Sequence, residues 1–325
     1  MDDKSLLDSG LVPQISPANI KFQLGRMSTT ASCGDDGITI FMLRTLLDTS
    51  FIELLFQLYY ACLRKDQTPR RWNEACIIPL HKDKKKPYTA KHSRPISLLC
   101  LFRKISESLI LSTLRSSGNM SYSPTQAGFR SGYSTLTNIL TLHHQIDSDA
   151  GSHIVFLDFA SAFDRVQWLY LKKELQRQGM YPLVIQLVHQ HMYREMSFWV
   201  IVNSSPSRKL SHTSGWPLGS LLSPILFNRF IHSLLKTLNW QNLPTFPSSL
   251  WFTDDGVLVA PTFQKAQSLV NQVSKWADQH GMTFNVPKCG YLYCILPPRF
   301  RLQYALPCAS TNSQFHMLNH TSILV

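Results

Sequence analysis

The chain has 325 residues, 44% of them hydrophobic, enough for a sizeable core and for more than one lobe. Lys and Arg number 32 against 20 Asp and Glu, a net charge of +12 that favours a polyanionic partner, nucleic acid or a membrane surface. No apolar run approaches the roughly 18 residues that span a bilayer, and the opening Met-Asp-Asp-Lys has no signal-peptide pattern, so a soluble intracellular protein is expected.

Residues 1–30 are polar and mixed, and Pro13 and Pro17 are expected to break any early helix. After a turn at Gly34-Asp35-Asp36-Gly37, near-helical spacing of Phe41, Leu43, Leu46, Leu47, Phe51, Leu54 and Leu55 predicts a helix. Trp72 opens a strand over 75–80, followed by a basic loop with Lys82, Lys84, Lys85 and Lys86. Arg94 to Leu99 leads into an amphipathic helix carrying Ile105, Leu109 and Leu114. The loop Gln126-Ala127-Gly128-Phe129-Arg130 precedes a helix over roughly 134–146. An apolar strand ending at Asp158 comes next, then a helix over about 169–178 stopped by Gly179, and a strand over 197–203. A Gly/Pro/Ser loop, 214–220, opens an apolar helix running through Leu235 with Pro224 in its first turn. Leu250 to Val259 reads as strand, turn, strand around Asp254-Asp255-Gly256. A last amphipathic helix carries Ala266, Leu269, Val270, Val273, Trp276 and Ala277, with Gly281 as its stop.

The seven cysteines form no CxxC pair, and buried thiols account for them better than a zinc set of Cys289, Cys294, His316 and His320. The acidic residues are more informative. Adjacent carboxylates at Asp254 and Asp255 repel, and a fold that holds them together usually places a cation there. If the strand of Asp158 lies beside that hairpin, three carboxylates converge, which suits two magnesium ions and phosphoryl transfer. Taken alone, Asp-Asp-Gly is more often an ordinary hairpin turn, and a lone strand-ending Asp is as often a helix N-cap.

Eight segments in one order change that balance. From about Gly34 to about Lys288 the chain resembles the reverse transcriptases of non-LTR (LINE-type) retrotransposons, with group II intron enzymes more distant. Gly34 to Ile38 is similar to the family's Gly-Pro-Asp-Gly-Ile, and Trp72 through Lys82 to its W…A…IPxxK segment. Arg94 to Leu99 matches RPISLL, and Gln126 to Arg130 with Ser134-Thr135 resembles QxGFRxxxST. Leu157 to Val166 resembles LDFxxAFDxV, the first catalytic motif, and Gly215 to Pro224 resembles GxPQGSPLSP. Phe252 to Asp255 takes the place of the aromatic-Ala-Asp-Asp box, and Phe284 to Lys288 resembles the segment after the next helix.

The resemblance implies an α+β, right-hand polymerase fold of palm and fingers, with the thumb largely missing because only a short tail follows Lys288. It divides the chain into an N-terminal extension and fingers (1–120), palm with the first catalytic motif (121–165), a fingers insertion (166–212), further palm (213–290) and an incomplete connection to the thumb (291–325). It implies RNA-directed DNA polymerisation, with dNTP substrates, an RNA template, a DNA primer and no membrane partner. Missing parts of the element would come from elsewhere, and the nucleus, or else the cytoplasm, would be the location. The alternative is a catalytically impaired nucleic-acid-binding remnant.

Asp158, Asp254 and Asp255 are implied as catalytic and metal-binding, holding two Mg²⁺ ions or Mn²⁺ in their place. Lys82, Arg94, Phe159, Phe163, Gly219, Ser220 and Lys288 are implied as nucleotide-binding. Phe163 would be the sugar gate and Lys288 a proton donor to pyrophosphate. Lys84, Lys85, Lys86 and Arg130 would contact nucleic acid. Three departures weigh against activity: Leu218 replaces a Gln, Leu221 a Pro, and Thr253 an Ala.

Overall fold

The computed structural model describes residues 15–85, 87–89, 92–116, 122–148, 151–192, 194, 196–211, 215–238 and 247–294. In chain order the strands are β1 (Glu74–His81), β2 (Ser93–Leu99), β3 (Ser152–Asp158), β4 (Ser197–Val202), β5 (Ser205–Pro206), β6 (Leu210–Ser211), β7 (Ser249–Phe252), β8 (Asp255–Ala260) and β9 (Gly290–Cys294). They form two sheets, one in each of two compact units, and the mixture of helices and sheets is α+β.

The first unit comprises residues 1–121 and 166–226. Its sheet runs β2-β1-β4-β5, with β6 also on β4; β1 is antiparallel to β2 and parallel to β4. N-terminal helices pack with the helix Leu101–Ser116 through Ile20, Leu24, Ile40, Leu43, Ile52, Leu55, Tyr59, Ile105 and Leu109, all buried. Pro17 begins a helix rather than breaking one. It stands in the first turn of Pro17–Arg26, where its missing N–H would have had no partner, and Ser16 Oγ accepts from Asn19 N at 3.1 Å to cap that end. The single helix predicted around residues 41–55 is two, Ile40–Arg44 and Phe51–Lys65. Between them Thr45 Oγ1 and Thr49 Oγ1 donate to the carbonyls of Met42 and Leu46, local bonds that compete with helix continuation. The helix Pro182–Met192 was not anticipated; Val184, Ile185, Leu187 and Val188 are its buried face.

The second unit comprises residues 122–165 and 227–325. Its sheet has the order β7-β8-β3-β9, antiparallel throughout. The helix Phe263–His280 covers it with Ala266, Leu269, Val270, Val273, Trp276 and Ala277, the six residues its period predicts. Thr262 caps its start, and Gly281 ends it at φ +70°. Strand β9 was also not anticipated; it pairs with β3 from Ser152↔Cys294 to Phe156↔Gly290 and makes β3 a central strand. The six described cysteines are thiols, and Cys76, Cys100 and Cys294 are buried. His316 and His320 of the rejected zinc set lie outside the described residues. Among the described residues no helix is long and apolar enough to cross a membrane.

Candidate active site

The site is built on the β3–β8 pairing. Strand β3 buries Ile154, Val155 and Leu157 and exposes Phe156, and its ladder with β8 closes with Asp158 opposite Asp255. Phe252 also pairs with Asp255, so Thr253 and Asp254 are the two loop residues of the β7–β8 hairpin. Thr253 has φ +62°, the backbone that a two-residue hairpin demands at its first loop position and that glycine supplies most easily. The hairpin is the strand-turn-strand that the bare sequence suggests, but its turn falls one residue earlier than Asp254-Asp255-Gly256, because Asp255 and Gly256 pair within β8. That turn carries Asp254 to the end of β3.

Four charged groups meet there. Burial first, then the charges of Asp255 and Asp158, push the Asp254 carboxyl up to about 6, against the relief of a backbone hydrogen bond and of Lys288. Asp255 is raised by burial and by Asp158. Lys288 Nζ donates to Asp158 Oδ2 at 2.8 Å, and that bond, with the three carboxylates, raises the lysine. The 3₁₀ turn Val286–Lys288 delivers it, fixed by Asn285 N donating to the Asp158 carbonyl at 2.8 Å. Mutually repelling carboxylates, Asp158 and Asp254 half-buried and Asp255 exposed, are a donor set that a divalent cation relieves. Among the described residues no group of three or more His, Cys, Asp or Glu is spaced to hold a metal by itself. Magnesium is commonly held by one or two carboxylates, with water and substrate phosphates completing the shell, so the residues present fit such an ion.

The remaining predicted site residues fall in three groups. Around the acidic end, Phe159 is 2% exposed, its ring stacked on Phe284 at 5.1 Å and on Trp251 at 6.0 Å. That ring is a core ring, and the backbone of Phe159 is bridged to Phe284. Phe163, half-buried, stacks on Phe227 at 4.7 Å and meets the edge of Phe129 at 6.4 Å, which fixes its plane. Arg130 is turned inward: its guanidinium donates to the Ser123 and Gln126 carbonyls, both at 2.9 Å, and lies 3.9 Å from the Tyr133 ring.

In the first unit, Arg94 pairs with Leu80, and the ladder continues through Lys82 N to the His92 carbonyl. Lys82 is two residues past Leu80, so Lys82 and Arg94 share one face of the β1–β2 hairpin, both exposed. Lys84 and Lys85 are exposed in the loop that follows, and Lys86 lies outside the described residues.

Gly219 and Ser220 belong to a loop latched to β2, where Ser97 N donates to the Leu218 carbonyl at 2.6 Å. A Cβ on Gly219 would sit 2.3 Å from the Ser97 carbonyl oxygen, and its φ is +138°. Close approach to the neighbouring strand is therefore sufficient reason for glycine here. Ser220 is buried, its Oγ accepting from Leu222 N at 3.1 Å.

Two positioning groups escaped the sequence. Glu107, fully buried, accepts from Leu221 N at 2.7 Å through Oε2 and from Arg103 Nε at 2.8 Å through Oε1. Gln126, 1% exposed, bonds the backbone of Thr253. Glu107 had a signal: with Arg103 it interrupts a stripe that continues through the apolar Ile110 and Leu114.

This arrangement has known counterparts. Apo telomerase from Candida tropicalis, truncated from its C-terminal domain, aligns with a TM-score of 0.52 over 76% of this chain and 56% of that one, at 12% identity, a likeness of fold. The reverse transcriptase (RNA-dependent DNA polymerase) family matches residues 82–321, and the chain belongs to that family. Relatives carry retrotransposon names. The probable RNA-directed DNA polymerase from transposon BS of Drosophila melanogaster is 32% identical over 54% of this chain and 20% of its own length. The RNA-directed DNA polymerase from mobile element jockey of the same fly is 26% identical over 83% and 31%. A Pol polyprotein from the type-1 retrotransposable element R2 of Popillia japonica is 25% identical over 78% and 36%. The non-LTR resemblance of the sequence is thus shared by whole-length relatives, of which this chain spans little more than a third at most.

Proposed function

We propose that this chain performs RNA-directed DNA synthesis, transferring a nucleotide from dNTP to a primer 3′-hydroxyl on an RNA template. The observation that carries this reading is the facing of Asp158 and Asp255 across β3–β8, with Asp254 on the adjoining turn and Lys288 bonded to Asp158. In it, residues 121–165 and 213–290 act as palm and residues 1–120 and 166–212 as fingers. Asp158, Asp254 and Asp255 would hold two Mg²⁺ ions, or Mn²⁺, whose chemistry when bound is to acidify the 3′-hydroxyl and neutralise triphosphate charge.

The protein's own groups do the rest. Lys288 holds its proton firmly while bonded to Asp158 and passes it to the departing pyrophosphate oxygen from Nζ. Arg94 grips phosphate by paired hydrogen bonds, and Lys82 acts as a point charge beside it. Lys84 and Lys85 neutralise template phosphates, whereas Arg130, its guanidinium held by the Ser123 and Gln126 carbonyls, keeps the loop in shape. The ring of Phe163, held by Phe227 and Phe129, bars a 2′-hydroxyl from beneath the sugar. Synthesis at a chromosomal target would place the protein in the nucleus.

Primer extension by the full chain on an RNA template with Mg²⁺ tests the reading, and extension with dNTPs well ahead of NTPs is expected. Phe163→Val should then raise NTP over dNTP use by about tenfold or more, since lost sterics at a sugar gate change one substrate and spare the other. Binding of an RNA–DNA hybrid without any incorporation would leave the chain a nucleic-acid-binding remnant. An NTP preference in the unaltered protein would remove the gate.

A further inference from the structure

We propose that Gln126 is a positioning residue: its amide holds the Thr253 turn, and with it Asp254 and Asp255, in a backbone conformation the turn would not keep alone. The proposal rests on the polymerase reading of that site.

Thr253 is the starting point. Its φ of +62° suits glycine, and a β-branched side chain there is strained, persisting only where the surroundings over-determine it. Thr253 is also 6% exposed, so water does not satisfy its backbone groups. Gln126 satisfies both. Its Oε1 accepts from Thr253 N at 2.9 Å, and its Nε2 donates to the Thr253 carbonyl at 3.1 Å. One flat amide thus spans the two backbone groups that flank the strained torsion. The second lone pair of Oε1 takes Gly128 N at 2.8 Å, which fixes the amide plane from the other side.

The segment bearing Gln126 is itself tied down. Ala127 N donates to the Trp251 carbonyl and Trp251 N to the Thr125 carbonyl, each at 2.8 Å, so residues 125–127 run as a short parallel partner of β7. Asn228 Nδ2 donates to the Gly128 carbonyl at 2.7 Å. Gly128 lies so close that a Cβ would stand 2.4 Å from Thr253 N and 2.5 Å from Thr253 Oγ1. Gln-x-Gly is therefore one device, in which glycine lets the loop reach the turn and glutamine grips it. Because Asp254 and Asp255 follow Thr253 directly, any slackening of that torsion re-aims both carboxylates.

The experiment compares Gln126→Met, Thr253→Gly and the double variant in the full chain. Methionine keeps the volume and removes the three bonds. Backbone hydrogen exchange over 250–256 should quicken at least about tenfold in Q126M, and kcat for primer extension should fall about 10- to 100-fold with the dNTP KM within about threefold. Glycine at 253 adopts the torsion without a clamp, so T253G in the Q126M background should restore about tenfold of the kcat. Should Q126M not fold, Gln126→Glu, which keeps both acceptor bonds, replaces it and should be slowed less than 100-fold yet still be rescued by T253G. Unchanged exchange in the glutamine variant, a rise in KM at constant kcat, or equal kcat losses in both backgrounds overturns the proposal. If the unaltered protein extends no primer, the polymerase reading falls, while exchange over 250–256 still decides whether Gln126 holds the turn.

Discussion

Under the proposed function, Asp254→Asn should abolish primer extension and at the same time make the metal-free protein more stable. Both effects have one cause. Asp254 is held where its charge is unfavourable: burial and the charges of Asp255 and Asp158 raise its carboxyl from 3.8 to about 6. A folded-state pKa raised above the unfolded one means that the native protein binds the extra proton between about pH 4 and 6. The stability this contributes is complete below the unfolded value and is lost as pH rises through about 6. At neutral pH the ionised group therefore costs up to about 3 kcal/mol, taking 1.36 kcal/mol for each unit of the shift. Asparagine keeps the shape and deletes the charge, so the penalty disappears along with the ligand that the proposed chemistry needs. Urea unfolding from pH 4 to 7 in EDTA is the measurement. The parent should lose stability across that window, and D254N should lose less and be the more stable protein at pH 7. Asp158→Asn should likewise abolish extension while hybrid binding survives in both variants. Retained turnover in either one removes the metal role, and equal pH slopes in D254N and its parent remove the electrostatic account.

The acidic site was legible because its signals are local. Strand β3 and the β7–β8 hairpin are short runs of apolar and β-branched residues broken by Asp, and such runs point to strands on sight, though the turn itself lies at Thr253-Asp254. The amphipathic helix Phe263–His280 was legible for the same reason, since six core positions keep one period. The departure at Thr253 was visible as a residue change, though its meaning was not: the added methyl and hydroxyl matter less than the torsion the residue must adopt. What local patterns cannot show is the partner of a buried polar side chain. Gln126 bonds a residue 127 positions away, and Glu107 one 114 positions away. Pro17 misled because a proline inside a helix and a proline opening one look alike until the cap at Ser16 is considered. Strand β9 follows a lysine turn and holds only five residues, too few for its alternation to stand out.

Glu107→Ala should cost about 3–5 kcal/mol of stability, the usual consequence of leaving one member of a buried ion pair without its partner. Arg103 and Glu107 are both 0% exposed in their side chains. Once the carboxylate is gone, the guanidinium keeps its bonds to the Trp72 carbonyl at 3.0 Å and Met196 Sδ at 3.2 Å, neither of which carries a charge to offset its own. His191 stands nearby and offers no negative charge: burial first and the Arg103 charge second hold its imidazole down at about 4. The pair has a second task that stability alone does not measure. Leu221 N, which donates to Glu107 Oε2, lies directly after Gly219 and Ser220, so the carboxylate anchors one end of that loop while Ser97 anchors the other. A double variant separates the two tasks. Arg103→Met with Glu107→Leu removes both charges, and apolar replacements of such pairs are often neutral or stabilising, so most of the lost stability should return in thermal unfolding. The Leu221 amide still has no acceptor in that variant, and exchange over 218–222 should stay at least about tenfold faster than in the parent. A double variant no more stable than E107A would show that the loss does not arise from a stranded charge. Parent-like exchange over 218–222 would show that Glu107 does not anchor the loop.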